Sequence, residues 1–155
     1  MIHHLIIAPV VLPLLAGRAR LDLEQADGLS AAVTVARHGV GVDDASGTIG
    51  LPGLAGLPAA TLDLADVSVR FGDRLCAEAE GLVKARMSGE LGGVPLAAVY
   101  SGQARCEGPA LLLPLASQSG ADRFEVRLFA DGRYQVDTYL RSGGMPYSKR
   151  FEGRF

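Results

Sequence analysis

The sequence predicts an all-β protein: a curved, mainly antiparallel sheet built from short hairpins. Three observations carry that expectation. Apolar and polar residues alternate with period two in several segments, the pattern of strands with one buried face. Glycine and proline are frequent, 20 and 8 of 155 residues, and punctuate the chain too often for long helices. A strand–turn–strand pattern also surrounds Asp131-Gly132, a dipeptide that favours hairpins.

The elements follow in order. Leu5 to Leu15 (LIIAPVVLPLL) is apolar, but eleven residues long and broken by Pro9 and Pro13. A membrane-spanning helix needs roughly 20 apolar residues. No Lys or Arg precedes the run, so the basic start of a signal peptide is missing and the chain reads as soluble. In Arg18 to Glu24, Ala19, Leu21 and Leu23 share one face, with Arg20, Asp22 and Glu24 on the other. Val33 and Val35 share a face in Ala31 to Arg37. Leu51, Leu54 and Leu57 recur every third residue, but Pro52, Gly53, Gly56 and Pro58 oppose a helix. Leu51 to Ala60 is therefore expected to be a loop or a short helical turn crossing a sheet end.

Thr61 to Phe71 alternates twice, Leu62 and Leu64 and then Val67, Val69 and Phe71. The parity slips by one at Ala65-Asp66, which predicts a bulge or a turn. Leu111 to Leu115 is apolar on both faces until the polar Ser117-Gln118-Ser119-Gly120 turn. Around Asp131-Gly132, a two-residue loop would put Phe124, Val126 and Leu128 on the face opposite Tyr134 and Val136. A three-residue loop, Ala130-Asp131-Gly132 with Gly132 left-handed, instead pairs Leu128 with Tyr134 and Val126 with Val136. Its cost is Glu125 facing Asp137, eased if Arg123 or Arg127 reaches diagonally. No domain boundary is visible. Residues 1–155 read as one domain, a size consistent with a single core, with loops at Gly47 to Pro58 and Gly89 to Pro95. Residues 142–155 read as a flexible tail, a partner-binding strand being the other reading.

Composition excludes several functions. Fifteen basic and 17 acidic residues give a net charge of -2, without blocks of like charge, against a nucleic-acid footprint. Aromatics are 6% and Trp is absent, leaving little for a stacking platform. His3-His4 is terminal, and His38 reads as a loop histidine. Ser117 and Ser119 lie in no nucleophile elbow and have only His38 as a base, so they read as turn residues. Asp43-Asp44 and Asp63 with Asp66 lack the spaced oxygen ligands of a calcium loop. Gly89 to Gly93 lacks the Lys-Ser/Thr of a phosphate loop. No catalytic, cofactor-binding or metal residue is expected. Cys76 and Cys106 have too few ligands near them for a metal; two buried free thiols and a disulfide both remain open on sequence alone.

The strings ARCEG (Ala104 to Gly108), ALLLPLASQSG (Ala110 to Gly120) and RLFADGRY (Arg127 to Tyr134), with a weaker RLCAEAEG (Arg74 to Gly81), carry a resemblance. The chain resembles the C-terminal part of the type II secretion system protein N family, bacterial envelope proteins, over about Leu12 to Arg141. The resemblance implies an oxidising periplasmic compartment and hence a Cys76–Cys106 disulfide. Closing a loop of about 30 residues would contribute roughly 3–4 kcal/mol. It implies an inner-membrane anchor ahead of Leu5, whose lack suggests a truncated chain or an alternative start. It further implies a non-catalytic component that contacts other secretion-system subunits, by strand addition or face packing, with Thr138 and Arg141 as trial edge positions. A periplasmic module for lipid or another apolar ligand is the alternative; an open apolar groove, as against a sealed core with exposed edges, would distinguish it.

Overall fold

The computed structural model describes residues 5–10, 18–25, 30–36, 39–51, 60–141 and 146–154. They are all-β, without a helix, in one large antiparallel sheet that does not close into a barrel. The strands are β1 (Leu5–Val10), β2 (Arg18–Gln25), β3 (Ser30–Ala36), β4 (Gly39–Leu51), β5 (Ala60–Gly72), β6 (Leu75–Met87), β7 (Glu90–Leu91), β8 (Val94–Pro95), β9 (Val99–Gln103), β10 (Arg105–Glu107), β11 (Ala110–Ser117), β12 (Arg123–Leu128), β13 (Arg133–Leu140) and β14 (Tyr147–Arg154). The main sheet runs β1-β2-β3-β4-β5-β6-β9-β11-β12-β13-β14, with β10 paired to β11. A separate hairpin is formed by β7 and β8.

The period-two segments become strands as expected, and two registers can be checked residue by residue. Leu128 faces Tyr134 and Val126 faces Val136. The loop is Ala130-Asp131-Gly132, closed by the Phe129 N–H to Arg133 O and the Gly132 N–H to Phe129 O, both at 3.0 Å. Gly132 has φ +88°, the left-handed conformation that a three-residue loop demands. In β5 the ladder to β6 shifts between Ala65 and Ser68. Asp66 there has φ +52°, so the parity slip is a bulge.

Positive φ recurs on both neighbouring strands, at a bulge of β4 and at the β6 residue opposite the β5 bulge. Asp44 in β4 has φ +50° and Gly81 in β6 has φ +111°. Hydroxyls hold the two bulges together: the Asp66 N–H donates to Ser46 Oγ, and the Asp44 N–H to Ser68 Oγ, each at 3.0 Å. A Cβ on Gly81 would lie 2.5 Å from Val67 Cα and 2.6 Å from Asp66 O, so only glycine fits beside the β5 bulge.

At Gly81 the sheet also splits. The ladder from β6 to β9 covers Leu82 to Arg86, and the Gly81 carbonyl accepts the Ala104 N–H at 2.9 Å. Beyond it β10 is laddered to β11 alone. Across this seam lie the Cys76 N–H to Pro109 O hydrogen bond (3.1 Å) and the Cys76–Cys106 disulfide, with Cα atoms 5.5 Å apart. Pro114, a residue that cannot donate to a ladder, sits on β11 between its two short stretches of pairing with β9 and β10.

One face of the sheet is apolar. Val83, Ala85, Tyr100, Leu115, Phe124, Val136, Leu140 and Phe151 are buried in one cluster. The β7–β8 hairpin, which follows the end of β6 opposite the disulfide, adds Leu91 and Val94 to it. Its turn is Gly92-Gly93, with φ +60° and +79°, as a two-residue hairpin loop requires. The Gly89 to Pro95 segment expected to be a loop therefore holds this hairpin. Likewise Gly47 to Leu51, expected in a loop, extends β4, paired with Ala60 to Leu64 of β5. The expected loop or helical turn between Leu51 and Ala60 lies at 52–59, outside the described residues.

The segment 142–155 departs from the flexible-tail expectation over Tyr147–Arg154. These residues form β14, paired with β13 through eight residue pairs without a register shift. The physical reason is Phe151, which faces Val136 and is buried in the core. Residues 142–145 and 155 lie outside the described residues.

Gly102 on β9 packs hard against β11. A Cβ there would strike the Pro114 carbonyl oxygen and lie 2.8 Å from its carbon, backbone atoms that cannot swing away. Gly102→Ala is expected to lower stability by about 3 kcal/mol, the upper end of overpacking costs, read as a reduced urea midpoint at unchanged slope.

Candidate functional site

Four places hold the residues with chemical capacity. The first is the seam. Cys76 and Cys106 are bonded to each other, on the apolar side with Ala104, Leu111, Phe71 and Leu128. Beside them a cleft of about 500 Å³ is lined by Ser68, Arg70, Glu78, Glu80 and Cys106 among others. Arg70 and Glu78 pair across it at 3.3 Å. Both are well exposed, so this pair contributes little stability.

The second place is the Ser117-Gln118-Ser119-Gly120 turn, beside a cleft of about 510 Å³ shared with Pro95, Leu96 and Ala97. Its hydroxyls are committed to the turn. Ser117 Oγ accepts the Asp122 N–H at 3.2 Å and Ser119 Oγ accepts the Ala121 N–H at 3.3 Å. The Gly120 N–H closes the turn on Ser117 O at 2.9 Å. Asp122 is buried, and its carboxylate accepts the Arg141 N–H at 2.8 Å. Next to it Tyr100 is fully buried, stacked edge-on against Phe124 with ring centres 4.9 Å apart. Burial pushes the Tyr100 phenol above its ordinary value; the Ala97 N–H it accepts works the other way, and the Asp122 charge adds to the rise. A phenol held neutral in this way serves packing. His38, the one base considered for the serines, lies outside the described residues.

The third place is the charged face of β12 to β14. Glu125 faces Asp137, and Arg127 reaches both, at 3.4 and 3.1 Å, while holding Glu107 at 2.8 Å. The diagonal relief expected of Arg123 or Arg127 is thus supplied by Arg127. Arg123 instead lies over the Tyr139 ring, 5.0 Å from its centre. Arg150 adds a second cation to Asp137 at 2.7 Å. Hydrogen bonding to Glu107 raises the Arg127 pKa further, and the Asp137 hydrogen bond does so for Arg150. The network is legible in register once Glu125 and Asp137 are paired. The part played by Glu107 was not, because β10 reaches Arg127 only across β11.

The fourth place is the edge of the sheet at β14, where Ser148, Lys149, Arg150, Glu152 and Arg154 are exposed. Thr138, a trial edge position, is instead interior: it is 1% exposed on β13, with its hydroxyl donating to Lys149 O at 2.9 Å. Arg141 is exposed just beyond β13. Among the described residues no group of His, Cys, Asp or Glu could hold a metal ion, and no helix is long and apolar enough to cross a membrane.

The family model described as type II secretion system (T2SS), protein N matches residues 10–146. The chain belongs to this family. The strings along β6 and β10–β13 that carry the resemblance are the strands that build the seam, the Ser117 turn and the Arg127 network. No curated protein and no solved structure matches the chain. It is therefore a type II secretion component, associated with the cell envelope and with other components of that machinery.

Two outcomes test these assignments. Thiol titration of unfolded, unreduced protein isolated from its native compartment is expected to find no reactive thiol; two thiols would remove the disulfide. Asp137 is 9% exposed between two guanidinium groups, so Asp137→Asn is expected to cost about 2 kcal/mol. Arg127→Ala is expected to cost more, about 3 kcal/mol, because it leaves Glu107, Glu125 and Asp137 close together with one cation fewer. Denaturant melts of the two variants read the order.

Proposed function

We propose that this chain is a single β-rich periplasmic domain that acts without catalysis, by binding other subunits of the secretion machinery through its strand edges and sheet faces. Its full-length form would be held at the inner membrane. Family membership carries the reading, and the geometry supports it. The groups with most chemical promise are occupied by structure: the Ser117 and Ser119 hydroxyls by a turn, Asp122 by the Arg141 N–H, Asp137 by two arginines. The β7–β8 hairpin packs onto the apolar face between β6 and β14, whereas among the described residues no strand caps β14 at the end of the sheet order. A covered core with an open edge fits assembly better than cargo carriage.

The apolar-ligand alternative retains one observation. Val35 and Val40 face each other on β3 and β4 and are 46% and 43% exposed, so the apolar face is uncovered at that end. Lipid analysis of protein purified from the envelope separates the readings: co-purifying lipid in stoichiometric amount favours the ligand module.

Ser117→Ala, Ser119→Ala and His38→Ala, each alone, are expected to leave secretion nearly intact, and affinity capture from envelopes is expected to recover secretion subunits. Loss of secretion by any one of the three, with the protein folded and abundant, overturns the non-catalytic reading.

A further inference from the structure

We propose that β14 is a self-pairing edge, at which two copies of this chain join antiparallel across a two-fold axis with Phe151 of each facing Phe151 of the other. The proposal goes beyond the contact reading above and does not require it, since self-association is measured on the purified chain.

The two edges of the sheet differ. β1 has six residues and includes Pro9, which cannot donate to a further strand. β14 has eight residues and keeps one register with β13 from Arg154 to Tyr147. Among the described residues no strand pairs with the other side of β14, which there presents a regular row of N–H and C=O groups. Exposed Lys and Arg on an edge often serve only to discourage pairing, so the register must decide whether these charges repel a second copy or select one.

In a two-fold arrangement with the axis perpendicular to the sheet, facing residues share a face, so their numbers sum to an even value. Centring the pair on Lys149, Arg150 or Glu152 sets each of those residues against its own copy, like charge to like. Centring it on Phe151 does not. Arg150 then faces Glu152 of the second copy, and Glu152 faces Arg150, giving two opposite-charge pairs on the charged face. On the other face Phe151 meets Phe151, and Lys149 meets Gly153, the position on β14 without a side chain. Ser148 faces Arg154. The opposite-charge pairs directly across the strands are the stabilising combination; Phe151, buried in its own core with the Lys149 ammonium 5.0 Å from its ring centre, sets the register and adds little contact. Arg150 keeps room for a further carboxylate on its solvent side: its side chain is 57% exposed, although Asp137 engages Nε and Nη2 and the Gln135 amide oxygen accepts from Nη1 at 2.8 Å. Glu152 is exposed, near enough to Arg150 of its own strand to help raise that residue's pKa. A single strand edge buries less than a standard interface, so the dimer is in equilibrium with the monomer and responds to concentration.

Sedimentation from micromolar to near-millimolar protein tests this. The wild-type chain is expected to show a monomer–dimer equilibrium. Glu152→Arg and Arg150→Glu are each expected to weaken it by about tenfold or more, because each sets like charges across the axis. Mixing the two variants is expected to restore association as a heterodimer, since each then presents the charge the other lacks. A wild-type chain that stays monomeric throughout, including one that binds another subunit's strand in that state, overturns the proposal. So do variants that associate as well as wild type, or a mixture that stays monomeric. Circular dichroism checks folding; if Arg150→Glu fails that check through loss of the Asp137 contact, Glu152→Arg alone decides.

Discussion

Bulges on β4 and β5, with Gly81 of β6 standing alone opposite the second, set the shape on which the rest depends. Asp44, Asp66 and Gly81 take up left-handed or otherwise positive φ in β4, β5 and β6. For the two aspartates that conformation costs about 1–2 kcal/mol each, offset in part by the Ser46 and Ser68 hydroxyls that take up the freed N–H groups. Gly81, opposite the β5 bulge, takes its positive φ as a glycine. Each bulge bends its strand and increases the local twist, and the two bulges with Gly81 beside them fall on one fold line. At that line β6 leaves its neighbour, and the seam opens between β6 and β10. The disulfide spans that seam.

The disulfide closes a row that hydrogen bonds do not. Val35 faces Val40, Val40 faces Phe71, and Phe71 faces Cys76. Beyond the sulfur bridge, Cys106 faces Leu111, Leu111 faces Leu128, and Leu128 faces Tyr134. One line of mostly apolar residues thus crosses the sheet from β3 to β13, with a covalent bond where the ladder is missing. Its two ends differ in environment. Tyr134 is buried against Gly153, whereas Val35 and Val40 are open to solvent. The row is therefore less well secured by apolar contacts at its β3–β4 end than at its β13 end. A ligand or partner seated there would stabilise the protein by mass action.

Much of this was legible in the sequence where local chemistry decides. The Asp131-Gly132 hairpin could be placed to the residue because face parity and loop length leave one consistent solution. The bulge at Asp66 showed as a parity slip between Leu64 and Val67. The cysteine pair needed the family resemblance, since spacing alone says nothing of compartment. What stayed hidden was long-range. Ser46 and Ser68 read as unremarkable strand residues until β4 and β5 are set side by side. The Gly89 to Pro95 segment contains two apolar residues among glycines, too few to reveal a period, yet Leu91 and Val94 find a core made by distant strands. Ser142 to Phe155 looked like a tail because its composition changes; Phe151 makes it a strand only when Val136 is there to face it.

The order of β14 bears directly on what the edge can do. The β7–β8 hairpin lies against it, since a side chain at Gly92 would strike the Tyr147 ring. Phe151 anchors the strand from the same apolar face, and Thr138 binds Lys149 through both its backbone O and its N–H. These contacts fix the strand before any partner arrives. A flexible tail that folded on binding would lose backbone entropy of about 1–2 kcal/mol per residue at that step. Here the loss is already met within the fold by the burial of Phe151 and the eight pairs with β13. The edge is thus preorganised, and preorganisation is what lets a small interface bind at all. An open sheet whose last strand is firmly held, regular and charged in alternating sign along one face keeps an edge that a closed barrel would not have.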